Sequence, residues 1–229
     1  MCGRYNILTS AQAIVEFFEV AELLFDPEKW RPRYNVAPSQ EAPVVRERTA
    51  SVRELALLRW GLLPHWAKEE KTRYSMINAR AESVANRPAY RAAFRRRRCL
   101  VPATGFYEWQ QTPAGKQPWH FRLRDHRPFA FAGLWEHWEG EGKVIETFTI
   151  IVTDANELVR PVHDRMPVIL APEEYETWLD PDNRDTDRLQ ALLDPYPAAA
   201  MEGYPVSRYV NSPAHDDPRC VEPVADGTR

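Results

Sequence analysis

The stretch CLVPATGFYEWQQTPAGKQPWHFRLRDHRPFAFAGLWEHWEGEGKVIETFTIIV (residues 99–152) decides the fold. It contains five runs rich in β-branched and aromatic residues, separated by clusters of Gly, Pro and charged residues. These runs predict strands at residues 99–102, 106–110, 119–123, 129–135 and 144–152. Residues 112–116 join the second and third runs as a hairpin. Strands this closely spaced, without alternating helices, favour an antiparallel or barrel-like sheet.

Working outward from this stretch, the sequence predicts further short strands at residues 3–7, 43–46 and 52–60. Helices are expected at residues 88–97, 155–160, 172–179 and 186–193, and Asp154 is the expected cap of the second. Near the start, Thr9 and Gln12 form a capping box before a helical pattern at Ile14, Phe17 and Phe18.

These elements predict the α+β class. We expect a single domain over residues 1–212, built on an antiparallel or mixed pseudo-barrel β-sheet with peripheral helices. Residues 213–229, rich in Pro and Asp, are expected to form a loosely ordered tail.

Composition excludes several classes of protein. The 229 residues are 44% hydrophobic and 28% charged, which is enough apolar content for a core and excludes disorder, collagen and coiled coil. No apolar run reaches the ~18 residues of a membrane helix, and the N-terminus lacks the apolar stretch of a secretory signal. We therefore expect a soluble, cytoplasmic protein. The cysteines Cys2, Cys99 and Cys220 lie far apart, so we expect reduced thiols and no metal.

Charge is distributed unevenly along the chain. Residues 1–100 hold 18 Lys and Arg against 11 Asp and Glu, and the remainder holds 12 against 22. Only the first part has the charge to meet a polyanion such as nucleic acid. Within it, Arg87, Arg91 and Arg95 recur every four residues on a predicted helix, followed by Arg96, Arg97 and Arg98. This helix face therefore has two possible functions: it binds phosphates, or it is a basic face that only contacts solvent.

Cys2 is the most informative position. Removal of Met1 would leave a cysteine with a free α-amine, which places two nucleophiles on one residue. The amine titrates near ~8 and the thiol near ~8.5, so part of each is unprotonated at neutral pH. The alternative is a frayed terminus. The strand predicted at residues 3–7 favours a terminus held in the fold.

Three further segments carry candidate chemistry. Asn78 and Arg80 point to the same side if the chain is extended there, and this pairing suits an aldehyde oxygen next to a phosphate. Asn78 alone also fits a turn or helix cap. Glu108 lies among aromatic residues that raise a carboxyl pKa, unless it faces solvent. His163 lies on a loop after Pro161 and is either a catalytic or a structural histidine.

Taken in order, these pieces resemble the SOS response-associated peptidase family, the abasic-site processing proteins. The matching motifs are MCGRY (1–5), YNVAP (34–38), WGLLP (60–64), INARAE (77–82), GFYEW (105–109) and HDRMP (163–167), with a weaker match at 206–211. The resemblance implies a monomer that binds single-stranded DNA, including its junctions with duplex, and captures abasic sites without a cofactor. When bound to DNA, such a cytoplasmic protein would be associated with the nucleoid.

The resemblance also implies roles for particular residues. The Cys2 amine would condense with the deoxyribose aldehyde and the thiol would close a thiazolidine ring, giving a covalent crosslink that protects the lesion. Asn78 would position these groups, Glu108 would assist ring opening, and His163 would act in Schiff-base steps and strand incision by a lyase reaction. The residues expected to contact DNA are Arg4, Asn35, Pro38, Trp66, Arg80 and Arg165. Peptidase activity would be limited to the protein's own N-terminus.

Two other functions remain open on the sequence alone. An N-terminal-nucleophile cysteine amidohydrolase would use the same end group, with the amine of Cys2 as the base for its thiol. Such an enzyme needs an oxyanion hole, for which no motif is evident. A non-catalytic single-stranded DNA-binding protein would explain the arginines but leave Cys2, Glu108 and His163 without a role.

Overall fold

A computed structural model describes residues 2–49, 52–70 and 76–224. Met1 and the last residues of the predicted tail, 225–229, lie outside the described residues. The strands are β1 (Tyr5–Ile7), β2 (Glu22–Leu23), β3 (Arg33–Val36), β4 (Glu41–Glu47), β5 (Arg53–Trp60), β6 (Asn78–Arg80), β7 (Arg98–Ala103), β8 (Gly105–Thr112), β9 (Gly115–Leu123), β10 (Phe129–Gly140), β11 (Lys143–Asp154), β12 (Arg165–Pro167), β13 (Ile169–Leu170) and β14 (Met201–Pro205).

The helices are short and lie around the sheets. The α-helices are α1 (Ala11–Phe17), α2 (Arg91–Arg96), α3 (Tyr175–Leu179) and α4 (Thr186–Gln190), and short 3-10 helices include Pro172–Glu174, Arg208–Asn211 and Pro218–Val221. None of the helices in the described part of the chain has the length and apolar character needed to cross a membrane.

A closed ring of five strands forms the centre of the fold. Strands β11, β10, β7, β4 and β5 pair in that order, and β5 returns to pair with β11 in parallel, through Arg59 with Thr147 and Trp60 with Phe148. This closure confirms the predicted α+β class and the pseudo-barrel. The α-helices and most short elements are peripheral to it.

A second sheet packs on the barrel through aromatic rings. Its strand order is β14, β9, β8, β1, β3. Tyr5 of β1 contacts Trp60 and Phe131 of the barrel edge-on, with ring centroids 5.2 and 5.7 Å apart, and Phe106 of β8 also meets Phe131. All four rings are buried, and such edge-to-face pairs each contribute about 0.5–1.5 kcal/mol beyond their area. This packing fixes β1, and therefore the residues just before it, against the barrel.

The strands predicted within residues 99–152 are confirmed, including the hairpin, in which Thr112 pairs with Gly115. Three local predictions are wrong. Helix α1 is capped by Ser10, whose hydroxyl accepts from the Ala13 amide, rather than by Thr9. Asp154 is the last residue of β11 and not a helix cap. Residues 155–160 contain turns organised by the side-chain Oδ1 of Asn156, which accepts from the amides of Leu158 and Val159.

The predicted loose tail is also corrected as far as Val224. Asp216 accepts hydrogen bonds from the backbone amides of Tyr34 and Asn35 and forms an ion pair with Arg33. Cys220 is fully buried in a small cluster with Tyr107. The segment is ordered because its carboxylate satisfies three donors of β3.

We expect Asp216→Asn to lower the free energy of unfolding by about 1–3 kcal/mol, because the amide cannot replace an ionised acceptor of three hydrogen bonds. Urea denaturation followed by tryptophan fluorescence measures this. The matched control is Asp182→Asn, at an exposed position on the loop after α3. Equal unfolding midpoints for the two variants would show that the segment contributes nothing through Asp216.

Candidate active site

Strand pairing places Cys2 beside Glu108. Tyr5 pairs with Phe106, and the Tyr107 amide donates to the Arg4 carbonyl at 3.0 Å, so the residues before β1 run alongside β8. Cys2 is fully buried, and its thiol lies 4.0 Å from the Arg4 carbonyl oxygen. Burial raises the pKa of this thiol well above its usual range, and the negative charge of Glu108 raises it further. The thiol is therefore protonated at neutral pH.

Glu108 has the properties of a proton donor near neutral pH. Its side chain is 2% exposed, on a strand face among aromatic residues. Burial raises its pKa to about 7, and the negative charge of Asp164 adds to the shift. The raised pKa agrees with the expectation from its aromatic neighbours. About half of these carboxyls therefore carry a proton at neutral pH.

Asn78 and Arg80 lie on β6, which is extended as expected. This strand runs parallel to β11, with Asn78 opposite Ile150 and Arg80 opposite Val152. Asn78 is held by its backbone, because the Tyr90 hydroxyl donates to its carbonyl at 3.1 Å. Its side-chain oxygen is buried, and in the described part of the chain it has no hydrogen-bond partner. An unsatisfied buried acceptor of this kind suits a donor brought by a ligand.

His163 ends the turns after β11. Its amide donates to the Val159 carbonyl at 3.0 Å, and its Nδ1 lies 3.0 Å from the Arg165 amide and 2.9 Å from an Asp164 carboxylate oxygen. Burial lowers the pKa of the imidazole, so the ring is neutral at physiological pH. Gln110 of β8 donates to the Pro161 carbonyl at 3.1 Å, which ties this loop to the strand that carries Glu108.

Strand β11 brings the two sides of the site together. At its end, Val152 pairs with Arg80 on β6 and with Pro167 on β12. Arg165 of β12 forms a two-pronged ion pair with Glu82, which follows β6. The same guanidinium lies 3.3 Å from Asp154. Arg165 thereby holds β6 against β12, and its expected contact with DNA stays a prediction.

Arg4 and Asn35 are both engaged in hydrogen bonds within the protein. Asn35 is fully buried, and its amide donates to the carbonyls of Val210, Ser212 and His215 while its oxygen accepts from Arg4. It has no exposed surface for a contact with DNA. Arg4 donates further to the carbonyls of Val210 and Asn211 and lies over the Trp109 ring. Both residues fix the start of the chain to residues 210–215.

The remaining expected DNA contacts are accessible. Arg80 is exposed, Pro38 is partly exposed on the turn after β3, and Trp66 is 57% exposed. Trp66 lies well away from His163. Its neighbour His65 contacts Glu136, which pairs with Thr147, seven residues before Asp154 and thus roughly 23 Å along β11 at ~3.3 Å per residue.

The arginines after Arg91 separate into two kinds. Arg98 is fully buried and donates to the carbonyls of Phe94, Trp178 and Asn183, so it is structural. Arg95 and Arg96 are exposed on α2. Within the described residues, no three His, Cys, Asp or Glu side chains converge as metal ligands.

Two site residues had only weak signals in the sequence. Glu82 stands within the INARAE motif, yet its function as the partner of Arg165 depends on the pairing of β6 and β12 with β11. Tyr90 supports Asn78 from a turn before α2, and nothing local indicates this contact.

Known proteins share this chain's sequence and fold. Residues 1–213 match the family described as SOS response associated peptidase (SRAP). The chain is 46% identical over 224 residues to the abasic site processing protein YoqW of Bacillus subtilis (strain 168), covering 97% of this chain and 99% of that protein. It is 34% identical to the abasic site processing protein HMCES of Gallus gallus, covering 87% of this chain and 68% of the other.

The fold comparison agrees. A crystal structure of a protein from Bacteroides thetaiotaomicron superposes with a TM-score of 0.86 at 28% identity, covering 97% of this chain and all of that one. Since the family match spans nearly the whole chain and includes the residues around Cys2, Asn78, Glu108 and His163, this chain belongs to the SOS response associated peptidase family.

Proposed function

We propose that this protein recognises abasic sites in single-stranded DNA and captures them covalently through Cys2. The observation that carries the proposal is a buried carboxyl, Glu108, with a pKa of about 7, within electrostatic reach of Cys2. The names of the relatives YoqW and HMCES, both abasic site processing proteins, support the same substrate.

Hydrolysis of the bond between Met1 and Cys2 comes first, because an acylated nitrogen is neither basic nor nucleophilic. This cleavage is the only peptidase reaction that the proposal requires, and the chain itself is its substrate. The freed α-amine, with a pKa near ~8, is partly unprotonated at neutral pH. Because the thiol pKa is raised by burial, the amine and not a thiolate attacks first.

The abasic sugar exists mainly as a closed hemiacetal. Protonation of the ring oxygen by Glu108 opens it to the aldehyde, and a carboxyl that is half protonated near pH 7 suits this task. The amine then adds to the aldehyde and water leaves, giving an imine. Asn78 has an unsatisfied buried oxygen that can accept a hydrogen bond from the reacting amine.

The Cys2 thiol adds across the carbon–nitrogen double bond, and its proton passes to nitrogen. A five-membered thiazolidine ring results. This step is intramolecular and needs no external partner, so it is favoured over attack by a free thiol. The product is a stable crosslink, in which Arg80 contacts a flanking phosphate from its exposed position on β6.

Strand incision is the second reaction of the same imine. A base removes a proton from the carbon next to the imine, and the bond from the neighbouring carbon to the phosphate oxygen breaks. His163 is neutral at physiological pH and is therefore able to accept that proton.

The other candidate functions have less support. A cysteine amidohydrolase uses a thiolate nucleophile, whereas burial keeps the Cys2 thiol protonated. A protein that only binds single-stranded DNA has no use for a carboxyl tuned to neutral pH at a buried position.

Cys2→Ala is expected to abolish the stable crosslink to an abasic single-stranded oligonucleotide, with noncovalent binding nearly intact. Cys2→Ala and Cys2→Ser both retain the α-amine, so each is expected to form only an imine that borohydride can trap. Intact mass measurement and denaturing electrophoresis detect both products. The control is Cys99→Ala, another buried free cysteine. A stable crosslink in Cys2→Ala would disprove the mechanism.

Glu108→Gln is expected to slow crosslinking by ~10²-fold at pH 6, because a carboxamide cannot supply the proton. The raised pKa of Glu108 sets the direction of the pH dependence. The carboxyl is mostly protonated below about pH 7, so the crosslinking rate of the unaltered protein divided by that of the variant falls as pH rises through about 7. Initial rates between pH 5 and 9 measure this ratio. Glu139→Gln, at an exposed position on β10, is the control. A ratio independent of pH would exclude Glu108 as the proton donor.

His163→Ala is expected to reduce strand incision more than crosslink yield, by ~10²-fold for incision, because only incision requires a carbon-bound proton to be removed. The time courses of nicked and crosslinked oligonucleotide, followed in one reaction, provide the test. His137→Ala serves as the control on β10. Equal loss of both products would contradict the assignment of the base.

A further inference from the structure

A basic cavity lies beside α2, on a side of the barrel that the proposed chemistry does not use. It has a volume of about 540 Å³ and lies between α2 and the start of α4. Four of its lining side chains are arginines: Arg95, Arg96, Arg97 and Arg184. None of the described residues that line it carries a carboxylate. A cavity of one sign of charge concentrates counter-ions, so an anion is the natural occupant.

Among the residues that the structure describes, only one of the four arginines has an acidic partner. Arg97 donates to the buried Glu136 at 2.6 Å, and His65 lies 3.3 Å from the same carboxylate. Within the described residues, no carboxylate lies within ion-pair distance of Arg95, Arg96 or Arg184. The nearby Asp185 is directed to α4, where it accepts from the amides of Asp187 and Arg188. The cavity therefore keeps a positive charge that its own surroundings do not balance.

An exposed aromatic residue is next in sequence to a residue that lines this cavity. Trp66 follows His65, which lines the cavity, and it is one of three large apolar side chains exposed in the described structure. Guanidinium groups beside an accessible indole form the combination that binds single-stranded nucleic acid, with phosphates on the cations and a base on the ring. A small inorganic anion would make no use of the indole.

We propose that this cavity is a second phosphate-binding site, which holds the DNA backbone at a distance from Cys2. The identity of the ligand as DNA rests on the proposed function. Glu136, which contacts both His65 and Arg97, lies across from Thr147, roughly 23 Å along β11 from the end that carries the His163 loop. A strand that occupies both sites spans about seven nucleotides at ~3.4 Å each, or fewer when more extended.

The spacing predicts a dependence on oligonucleotide length. A fragment of about 4 nucleotides reaches only one site, whereas one of about 25 nucleotides reaches both. The Arg95→Ser/Arg96→Ser variant is expected to weaken binding of the longer fragment roughly tenfold and to flatten its log–log salt dependence by about 1.4, or ~0.7 for each lost phosphate contact. Binding of the shorter fragment, placed at the Cys2 site by an abasic residue, is expected to stay unchanged.

The test is a fluorescence anisotropy titration at several salt concentrations, in which the long fragment is unmodified DNA that cannot crosslink. The matched control is Arg124→Ser/Arg127→Ser, which removes two exposed charges from the turn after β9. If the control variant loses the same affinity and salt dependence, the effect comes from net charge alone, and the proposal is overturned. Loss of binding to both fragments, or to neither, would overturn it too.

This test is separable from the proposed function. If the long fragment shows the expected change but no abasic oligonucleotide becomes crosslinked, the phosphate site stands and the capture chemistry fails. If crosslinking proceeds and the salt slope of the double variant equals that of the unaltered protein, the capture chemistry stands and the second site fails. Both arginines are exposed, so thermal unfolding of the double variant is expected to match that of the unaltered protein.

Discussion

The parallel pairing of β5 with β11 is the constraint on which the rest of the structure depends. It closes the five-strand ring with only two residue pairs, and it leaves the remaining length of β11 free to accept β6 on the same edge. Because β12 pairs with the last residues of β11, the short strand with Asn78 and Arg80 and the loop with His163 meet at one end of the barrel. The second sheet then needs only the packing of Tyr5 on Trp60 and Phe131 to bring Cys2 and Glu108 to that end.

Burial serves chemistry here in two different ways. At Glu108 it destabilises the carboxylate until proton transfer is balanced near neutral pH. At Cys2 the same desolvation keeps the thiol protonated. Arg4 and Arg165 help to organise the site, Arg4 through hydrogen bonds to backbone carbonyls and Arg165 through ion pairs.

The sequence predicted those parts of the fold that have a local pattern. Long runs of aromatic and β-branched residues specified the central strands and the hairpin, because side chains alternate regularly along a pleated strand. Strand β6 was expected only if the chain is extended there, and β3 was not predicted. These strands have only three and four residues, and it is pairing with distant strands that holds them extended. In the sequence, Asp154 is typical of a helix cap. In the structure it is the last residue of β11, where it pairs with Arg165 of β12. Asn35 was expected to contact DNA from the family resemblance, and no local signal in the sequence shows that carbonyls 175 or more residues away enclose it.

The attachment of Arg4 and Asn35 to residues 210–215 also bears on how the protein is made. These contacts join parts of the chain separated by up to 207 residues. At a synthesis rate of about 5–20 residues per second, the ribosome works for roughly 9–35 s after adding Asn35 before its partners exist. During that time the Asn35 side-chain amide of the nascent chain lacks the carbonyls that it binds in the folded protein. A chain that ends before residue 215 therefore lacks some of the contacts that hold Arg4 and Asn35. Translation must run nearly to its end before the residues next to Cys2 reach their final positions.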